Sequence, residues 1–547
     1  MSYYDDASLM LLAGGGAEKD GKVYSVKPTD GSGDFTFSRG SNLSATRVNA
    51  SYLIEKGREN LALYSNKFNE SYWQKLSGCS IVGQTATDPF GVTNNAWLVA
   101  FDGTTNARIE RFISGSAIKT MSVYVRTQSG TQDVLIGFGG SDPLITKTIT
   151  TTWQRVETFT PTGGSYSRLR CDDAVTLEVF GYQVEQGLAA TEYIPTTTTT
   201  GTAGILENTP RFDYSNGASC PSFLLEPSRL NNILYSENVT TTWWLKSNVT
   251  ALDNQGISPE GLNNAGKITL TSTGAAVLYK TSLTIGNGVL SFFAKPGTLS
   301  GGRVRISVDG VGAADWNLDG TINSVSGGTA EGAENYGNGW FRYSYNVPSG
   351  SVANYGVQGG VIGESMLVYG MQVEPNATYP TSYIPTYGTS QTRAGEVCGG
   401  AGDANTFNST EGVLYAEAKT FSITGSAGII SLSNGTTSNR VTIELDGANI
   451  KVRFVVGGSS IGIFNYAINI KETLKIAAKY KANDFALWVN GTERVAITSG
   501  SSFSNNTLSE LSFDRGDGNE IFLGNVKQVI TFNTALTDTE LATLTTL

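Results

Sequence analysis

The sequence predicts an all-β protein built from tandem antiparallel β-sandwiches, with a short helix near the C-terminus. Three observations lead to this prediction: a turn-rich composition, short runs in which apolar and polar residues alternate, and a long internal repeat. The chain of 547 residues has 65 glycines and 39% hydrophobic residues, but only 16% charged residues. Because β-branched and aromatic residues suit pleated strands, and Gly and Asn suit tight turns, this composition favours strands over helices.

The internal repeat indicates that two of the sandwiches are copies of one module. Residues 224–236 repeat residues 53–65 at an offset of 224 − 53 = 171 residues. The matching positions are Leu53/Leu224, Glu55/Glu226, Arg58/Arg229, Asn60/Asn231, Leu63/Leu234, Tyr64/Tyr235 and Ser65/Ser236. A second match pairs Gln183-Val184-Glu185 with Gln372-Val373-Glu374, and Tyr193-Ile194-Pro195-Thr196 with Tyr383-Ile384-Pro385-Thr386. Repeats of this length are whole domains, because solenoid units have periods of about 20–50 residues.

Runs with an apolar/polar period of two predict half-buried antiparallel strands in both copies. They are Met121–Arg126, Asp133–Phe138, Trp153–Phe159 and Val175–Phe180 in the first copy, and Leu290–Lys295 and Trp340–Tyr343 in the second. Several such strands separated by turn residues predict a sandwich. The tract Thr196–Thr200 has no core-forming residue and predicts an extended linker between the copies.

The C-terminal region has a different strand pattern and predicts a third sandwich. Asn490-Gly491, between two apolar runs, is a signal for a type I′ hairpin. Thr537, with Glu540 three residues later, predicts a capped short helix. We therefore expect an N-terminal attachment arm at residues 1–50, related sandwiches at 51–200 and 201–395, and the different sandwich at 396–547.

Charge and the absence of histidine limit the functions that the chain can have. The net charge is −10 and the sequence shows no basic stripe, so we expect no nucleic-acid partner. The chain has no histidine, which excludes Ser-His-Asp and Cys-His sites and imidazole metal ligands. A glycosidase needs only two carboxylates, but no catalytic pair stands out among the 48 acidic residues. The sequence therefore favours a protein that is not an enzyme.

The cysteines and the apolar runs give further expectations about sites and location. Cys79, Cys171, Cys220 and Cys398 lie far apart without a CxxC spacing, so we expect free thiols rather than a zinc site. The N-terminus lacks the pattern of a signal peptide, and no run of about 18 apolar residues occurs. We therefore expect synthesis in a cytoplasm and no membrane insertion.

Several motifs resemble sequences of tailed-bacteriophage fibre and structural proteins. They are Lys22-Val23-Tyr24-Ser25, Asp34-Phe35-Thr36-Phe37-Ser38-Arg39-Gly40-Ser41, Ala45-Thr46-Arg47-Val48-Asn49, Leu224–Asn231 and the two Gln-Val-Glu…Tyr-Ile-Pro-Thr endings. The resemblance implies that the repeated modules are similar to carbohydrate-binding jelly rolls. Through the Trp488-Val489-Asn490-Gly491 hairpin, it also implies a C-terminal domain similar to a laminin-G or concanavalin-like lectin. The copies differ at one place in their alignment: the first has Lys56-Gly57 where the second has Pro227-Ser228. We therefore expect the edges of the two sandwiches to differ.

The resemblance implies a virion protein that is made in the bacterial host cytoplasm. It would be a head or tail fibre or decoration protein that binds host-surface or environmental glycans, with several weak sites gaining avidity on one oligomer. The implied partners are other virion proteins, bound through the N-terminal arm, and further copies of the chain in a homotrimer. Two alternatives stay open: a purely structural spacer or docking protein, and a polysaccharide-degrading depolymerase.

Three tryptophans are the candidate glycan-binding residues, because exposed aromatic rings stack on the apolar faces of sugar rings. Trp73, Trp243 and Trp244 follow the repeated Tyr-Ser motif in turn-rich surroundings. Packing in the core is the competing interpretation of all three. Trp153 and Trp340 lie in alternating strands, and we assign them to the core.

One acidic loop is a candidate calcium site. Asp514, Asp517 and Glu520 lie within seven residues, and loops rich in oxygen ligands bind Ca²⁺. A solvated hairpin loop would explain the same residues. No other cofactor is expected.

A repeated acid–base pair has a structural interpretation. Glu55 with Arg58, and Glu226 with Arg229, recur at the same spacing in both copies. Their side chains could bind sugar hydroxyls. We favour instead an ion pair that ties each lead-in strand to its sandwich.

Overall fold

A computed structural model describes residues 3–14, 18–19, 21–40, 43–115, 117–139, 142–160, 164–421 and 428–547. Within these residues the protein is almost entirely antiparallel β-structure in three sandwiches, which confirms the predicted fold class. The two related sandwiches, of jelly-roll type, are called module 1 and module 2 below. Residues 1–2, 15–17, 20 and 41–42 of the expected N-terminal arm lie outside the described residues.

The chain begins with a short helix and a series of short strands before module 1. They are α1 (Tyr3–Asp6), β1 (Ala7–Leu12), β2 (Glu18–Lys19), β3 (Lys22–Val23), β4 (Phe35–Ser38), β5 (Thr46–Val48), β6 (Ile54–Lys56) and β7 (Arg58–Asn60). β5 and β6 pair with each other in an antiparallel hairpin. We call residues 46–56 the lead-in hairpin, because it directly precedes module 1.

Module 1 consists of two five-stranded sheets that enclose one hydrophobic core. Its strands are β8 (Gln74–Leu76), β9 (Cys79–Ala86), β10 (Ala96–Asp102), β11 (Arg108–Phe112), β12 (Lys119–Thr127), β13 (Gln132–Gly139), β14 (Ile145–Ile149), β15 (Gln154–Phe159), β16 (Tyr166–Arg170) and β17 (Ala174–Gln186). One sheet has the order β15-β12-β17-β10-β9 and the other β14-β13-β16-β11-β8. Since side chains alternate along a strand, Val123 and Val125 of β12 point into the core and Tyr124 points outward.

Module 2 repeats this sandwich with additional strands. The connecting elements are β18 (Gly201–Ala203), β19 (Arg211–Asp213), the 3₁₀ turn Ser215–Gly217, β20 (Ser222–Leu225) and β21 (Arg229–Asn231). The module's strands are β22 (Leu245–Ser247), β23 (Val249–Leu252), β24 (Gly266–Leu270), β25 (Ala275–Lys280), β26 (Gly288–Lys295), β27 (Arg303–Val308), β28 (Gly312–Trp316), β29 (Ile322–Ser326), β30 (Thr329–Ala330), β31 (Glu334–Asn335), β32 (Phe341–Val347), β33 (Ala353–Gln358) and β34 (Ser365–Glu374). The sheets have the orders β22-β25-β33-β27-β28-β29 and β23-β24-β34-β26-β32-β30, with β31 also paired to β32.

The remaining elements are two short connecting strands, the C-terminal strands of the third sandwich, and the second helix. These elements are β35 (Gln391–Arg393), β36 (Val397–Gly399), β37 (Glu411–Thr420), β38 (Gly428–Ser433), β39 (Arg440–Asp446), β40 (Asn449–Val456), β41 (Ser459–Ala467), β42 (Leu474–Lys481), β43 (Phe485–Val489), β44 (Thr492–Ile497), β45 (Glu510–Ser512), β46 (Gly524–Phe532) and α2 (Asp538–Thr545). One sheet has the order β41-β40-β39-β38-β45, and the other β19-β20-β46-β37-β42-β43-β44.

The two local sequence signals in this region are confirmed. Asn490 and Gly491 connect β43 to β44 with positive φ angles of 49° and 78°, as a type I′ turn requires. Thr537 and Glu540 form the predicted capping box at the start of α2. Of the helices that the structure describes, none has the length and apolarity needed to cross a membrane.

Segments from the start and the middle of the chain complete the third sandwich. β1 pairs with β46, and β20 pairs with the beginning of the same strand. β4 pairs with β36 in a smaller sheet. Residues 7–12 are therefore a strand of the C-terminal sandwich, which differs from the separate N-terminal arm that the sequence predicted. The role of residues 1–50 in attachment to other proteins stays a prediction.

We call the third sandwich, together with the segments from the start and the middle of the chain that complete it, the frame. Each module is joined to this frame through a two-stranded stem. β7 leads into module 1 and pairs with β18, which leaves it, and β21 and β35 form the same pair at module 2. Thr196 is buried, and its Oγ1 accepts a hydrogen bond from the backbone N–H of Ser65 at 2.9 Å. The tract Thr196–Thr200, predicted as an extended linker, starts with a buried residue of module 1, and its exposed residues 197–200 lead into the stem.

The repeated motifs form a clamp where each stem meets its sandwich. The buried side chains of Asn60 and Asn231 each make the same four hydrogen bonds to the backbone. The partners are Tyr182 O, Ile194 O, Ala62 N and Val184 N for the first, and Met371 O, Ile384 O, Ile233 N and Val373 N for the second. The repeated sequence therefore fixes the points where the chain enters and leaves each module.

A cluster of five buried charged residues joins the frame to the stem of module 2. Arg211 bridges Glu396 at 2.5 Å and Glu226 at 2.8 Å. Arg393 binds Glu226 at 2.9 Å, and Arg39 binds Glu396 at 3.0 Å. Burial opposes the ionisation of Glu226, but the charges of Arg393 and Arg211 outweigh it and hold the pKa of that carboxyl at about 2, below its ordinary value of 4.5.

Candidate functional site

One outer sheet face of module 2 is covered by the lead-in hairpin. The side chain of Ile54 lies in a buried cluster with Ala265, Phe293, Trp340, Tyr369 and Tyr383. Its backbone N–H also donates to Pro259 O at 2.9 Å. The hairpin therefore removes an aromatic surface of module 2 from solvent.

Lys56, at the end of the hairpin, reaches into a cage of carboxylates and tyrosines. Its ammonium lies 2.5 Å from Glu237 Oε1 and 2.9 Å from Glu260 Oε2. The same ammonium stands 5.3, 5.7 and 5.7 Å from the ring centroids of Tyr369, Tyr383 and Tyr387, within range of cation–π attraction. Burial disfavours the charged form of Glu237, but the charge of Lys56 outweighs it and lowers the pKa of that carboxyl.

Module 1 has the equivalent face. Tyr124 lies opposite Phe180 in its sheet, as Phe293 lies opposite Tyr369 in module 2. Trp153 Nε1 donates to Thr87 O in the β9–β10 loop at 3.2 Å. Trp340 Nε1 donates to Ile257 O in the equivalent β23–β24 loop of module 2 at 3.1 Å. We call the set Phe90, Tyr124, Trp153, Phe180 and Tyr193 the aromatic face of module 1. Their counterparts in module 2 are Glu260, Phe293, Trp340, Tyr369 and Tyr383.

The aromatic face of module 1 has no such cover: Tyr124, Trp153 and Tyr193 are half-buried, and Phe180 is buried. Phe90 is 63% exposed at the tip of the β9–β10 loop. A Cβ atom built on the following residue, Gly91, would meet nothing within 4 Å. At the equivalent Gly261 of module 2, a Cβ would lie 2.9 Å from Leu53 of the lead-in hairpin. The same loop is therefore covered in module 2 and uncovered in module 1.

The rings of the aromatic face contact one another in edge-to-face pairs. The centroid of Phe90 lies 5.8 Å from that of Tyr124 and 5.9 Å from that of Phe180. Phe180 in turn lies 5.2 Å from Tyr193, whose hydroxyl is 2.6 Å from Ser65 Oγ. Burial raises the pKa of Tyr193 to about 12, so this hydroxyl is neutral at physiological pH. The result is a shallow surface of rings.

Two arginines lie beside these rings, and both are engaged with protein groups. The Arg126 guanidinium stands 4.8 Å from the Trp153 ring and donates to Glu178 at 2.7 Å. The Arg155 guanidinium stands 5.3 Å from the Tyr124 ring and donates to Ser122 Oγ at 2.9 Å. The arginines therefore orient the rings.

Trp73 and Trp244, predicted as candidate glycan ligands, belong to the cores of the two modules. Each is 2% exposed and packs inside its sandwich. The indole N–H of Trp73 donates to Tyr64 O at 3.0 Å, and that of Trp244 donates to Tyr235 O at 2.9 Å. The prediction is wrong for these two residues, because neither ring has a face that a sugar could reach.

Trp243 is half-buried at the surface of module 2. Its ring meets Trp244 edge to face, with centroids 4.8 Å apart, and the ammonium of Lys280 stands 4.9 Å from the ring centroid. Since one part of the ring stays accessible, glycan binding at Trp243 stays a prediction.

The acidic loop at Asp514, Asp517 and Glu520 is organised by an arginine. Arg515 binds Asp517 at 2.8 Å and Glu520 at 2.5 Å, while Asp514 turns inward and accepts the backbone N–H of Gly516 at 2.5 Å. Among the residues that the structure describes, no three His, Cys, Asp or Glu side chains are placed to hold a metal ion. Calcium binding here stays a prediction that this geometry does not favour.

The repeated acid–base pair is not formed within either copy. Glu55 binds Arg47 at 2.9 Å, whereas Arg58 forms an ion pair with Glu260 of module 2. Glu226 binds two arginines of the buried cluster, and the Arg229 guanidinium stands 5.4 Å from the Tyr379 ring. The predicted pairing is wrong because these residues connect separate parts of the chain.

The sequence analysis missed the aromatic face although a signal was present. Val156 points into the core, and alternate residues of a strand point to opposite faces. Trp153 lies three residues before Val156, so the alternation places its side chain on the outer face, like that of Arg155. The same alternation places Tyr124 outside. The assignment of Trp153 to the core is therefore wrong, whereas Trp340 is buried in a cluster with Ile54 of the lead-in hairpin, against which Tyr336 of module 2 also packs. Phe90 gave no periodic signal because it lies in a loop.

No protein-family model matches the chain, and neither does any curated protein sequence. Among solved structures, the chain aligns with the Ruminococcus gnavus IT-sialidase CBM40 bound to α2,3-sialyllactose at 16% identity and a TM-score of 0.24, covering 27% of this chain and 94% of that one. It aligns with the tandem CBM22-1–CBM22-2 domain of Paenibacillus barcinonensis Xyn10C at 10% identity and a TM-score of 0.21, covering 62% and 100%. Trypanosoma rangeli sialidase aligns at 8% identity and a TM-score of 0.22, covering 97% and 98%. At these TM-scores the likeness carries no argument about function.

Proposed function

We propose that the protein binds glycans through the aromatic face of module 1. The observation that carries the proposal is a difference between the two copies: the same face is sealed by the lead-in hairpin in module 2 and open in module 1. Burying an exposed ring such as Phe90 would stabilise a monomer, so a ring left exposed beside the half-buried Tyr124 and Trp153 marks a candidate interaction site. Sugar rings suit such a surface because their C–H faces stack on aromatic rings.

The geometry supports weak binding at each single site. The face is shallow, and its rings are held in place by the edge-to-face contacts and by Arg126 and Arg155. A preordered surface loses little side-chain entropy when a ligand binds. Useful affinity for a surface covered with glycans would then come from several copies of the chain acting together, since linked sites raise the effective concentration.

A place on a bacteriophage virion, as a fibre or decoration protein with a homotrimeric state, is a proposal supported by the sequence resemblance. It is tested by labelling particles with an antibody against the protein and by measuring the mass of the purified protein in sedimentation equilibrium. Labelled heads or tails and a mass of three chains are expected. Unlabelled particles would contradict the virion role, and any other mass would contradict the trimer.

A purely structural spacer is the second candidate. The observation that favours it is that module 2 uses its aromatic face to bind Ile54 and Lys56 of the same chain. A fold that uses this face as a joint in one copy need not use it for a ligand in the other. Failure of the wild-type protein to bind any glycan would favour the spacer.

The proposal is tested on a glycan array with three proteins. The wild-type chain is compared with the Phe90→Ala/Trp153→Ala double variant and with Phe112→Ala. Phe112 is a matched control because it is 49% exposed on the opposite sheet of the same module. We expect the double variant to lose at least tenfold in signal and the control to keep it. Full signal in the double variant would contradict the site, and release of shorter sugars from a bound glycan would favour the depolymerase alternative.

A further inference from the structure

We propose that the aromatic face of module 1 selects neutral sugars over both cationic and anionic ones. This inference rests on the proposed function and adds the class of ligand. It follows from comparing the charged groups around the open face with those around the occupied face of module 2, where the ligand is the side chain of Lys56.

The groups that hold a cation in module 2 are replaced in module 1. The ammonium of Lys56 is bound by Glu237 and Glu260. Asn66 follows Ser65 as Glu237 follows Ser236, and Phe90 stands in the loop position of Glu260. Two tyrosine hydroxyls are also lost, since Phe180 replaces Tyr369 and Thr197 replaces Tyr387. The open face therefore lacks the carboxylate pair that would attract an amino sugar or a lysine side chain of another protein.

The two arginines near the open face already donate to protein groups. Arg126 donates two N–H groups to Glu178, at 2.7 and 2.6 Å. Arg155 donates to Ser122 Oγ and to Thr191 O. A carboxylate is best recognised by a free guanidinium fork. Each guanidinium donates two N–H groups to protein acceptors, and the Nε of Arg155, which has no hydrogen-bond partner, is buried. An anionic sugar would therefore have to displace existing bonds to meet a paired fork of N–H groups.

The other charges that face this surface are negative. Glu157 and Glu192 are exposed beside Arg155, on β15 and in the loop after β17. Asp88, below Phe90, is buried, and its carboxylate accepts the backbone N–H groups of Phe90 and Val92 at 2.8 and 2.9 Å. Asp88 therefore shapes the loop and is not available to a ligand. The exposed carboxylates of Glu157 and Glu192 therefore disfavour an anionic ligand beside Arg155.

The inference is tested by titration calorimetry of the full chain with oligosaccharides of different charge. The probes are cellotetraose and xylotetraose (neutral), a chitosan tetramer at pH 6 (cationic), and 3′-sialyllactose and tetragalacturonate (anionic). We expect a neutral probe to bind at least tenfold more tightly than every charged one. Tighter binding of a charged probe at the aromatic face would overturn the selectivity and leave the proposed function standing. No binding of any of the probes, together with an empty glycan array, would overturn both.

A second variant tests the role of the missing carboxylates. Phe90→Glu restores one acid of the cage at a position that is solvent-exposed, and Phe112→Glu on the opposite sheet is the control with the same change in charge. We expect Phe90→Glu to lose at least fivefold in affinity for the neutral probe and to gain affinity for the chitosan tetramer, with circular dichroism unchanged. An equal gain in Phe112→Glu, or an unchanged preference in Phe90→Glu, would overturn the proposal.

Discussion

The ammonium of Lys56 lies 2.5 Å from Oε1 of Glu237, a residue 181 positions further along the chain. This bond joins the segment in front of module 1 to the body of module 2, with both side chains 1% exposed. The contact fixes the two modules relative to each other. Lys56 also occupies the aromatic face of module 2, where Glu237 and Glu260 supply a pair of carboxylates. The described residues at the equivalent face of module 1 do not include this pair.

Replacing Lys56 with Met should destabilise the protein strongly. The substitution leaves Glu237 buried without the cation that binds it, while Glu260 keeps its ion pair with Arg58. Removing one partner of a buried ion pair costs about 3–5 kcal/mol. Unfolding in urea measures the loss. Lys471→Met is the matched control, because Lys471 pairs with Glu331 at the surface, where such a pair contributes about 0–1 kcal/mol. Equal losses in the two variants would contradict the docking role of Lys56.

Asn231→Ala should destabilise module 2 by at least about 4 kcal/mol. The variant leaves the backbone partners of four hydrogen bonds unpaired inside the protein, and each buried unpaired group costs about 1–3 kcal/mol. The neighbouring Asn232 donates one bond to Thr284 O at 3.0 Å at the surface. Asn232→Ala should therefore cost less than about 1 kcal/mol in the same urea titration. A cost below that of the control would mean that the repeated Asn is not a clamp.

Stability should fall as the pH is lowered through the range set by Glu226. Its pKa is about 2 in the folded protein and near 4.5 when unfolded, because the charges of Arg393 and Arg211 outweigh the effect of burial. A carboxyl with a lowered folded pKa stabilises the protein above its unfolded pKa, and this contribution of about 3 kcal/mol is lost between about pH 5 and pH 2. Urea unfolding at several pH values should show a shallower pH dependence in Glu226→Gln, which is less stable at pH 7. An identical slope in the two proteins would contradict the assignment.

Only one of the four cysteines should react readily with a thiol reagent. Cys220 is exposed, whereas Cys79, Cys171 and Cys398 are buried. Burial raises the pKa of Cys79 to about 12 and also raises those of Cys171 and Cys398, so their thiolate forms are scarce at pH 8. Titration with an aromatic disulfide at pH 8 should give one fast thiol in the native protein and four in denaturant. Cys220→Ser should remove the fast phase, and its persistence would show that another thiol is accessible.

The parts of the fold that depend on local patterns could be predicted from the sequence. The alternation in Met121–Arg126 predicted a half-buried strand, and Asn490-Gly491 and Thr537 predicted a hairpin and a helix start that the structure confirms. These signals are local because each depends on the conformation of a few neighbouring residues. The pairing of β1 with β46 had no such signal, since it joins residues more than 500 positions apart.

The candidate site was missed for a related physical reason. Trp73 and Trp244 lie beside turn residues, which suggested exposure, but their rings turn back into the cores and donate to the carbonyls of Tyr64 and Tyr235. Trp153 and Trp340 occupy equivalent positions, each directly before a similar strand. Only Trp340 is buried, in a cluster that includes Ile54, nearly 300 residues earlier in the chain, and against which Tyr336 also packs. Exposure in this protein is set by contacts between domains, which the pattern of a single strand does not contain.

The most direct test of the central claim is a crystal structure of the full chain with the neutral oligosaccharide that ranks first on the array. The account predicts a sugar ring stacked on Phe90 or Trp153 of module 1, with Lys56 still bound to Glu237 on module 2. A sugar bound in place of the lead-in hairpin, or only on the C-terminal sandwich, would contradict it.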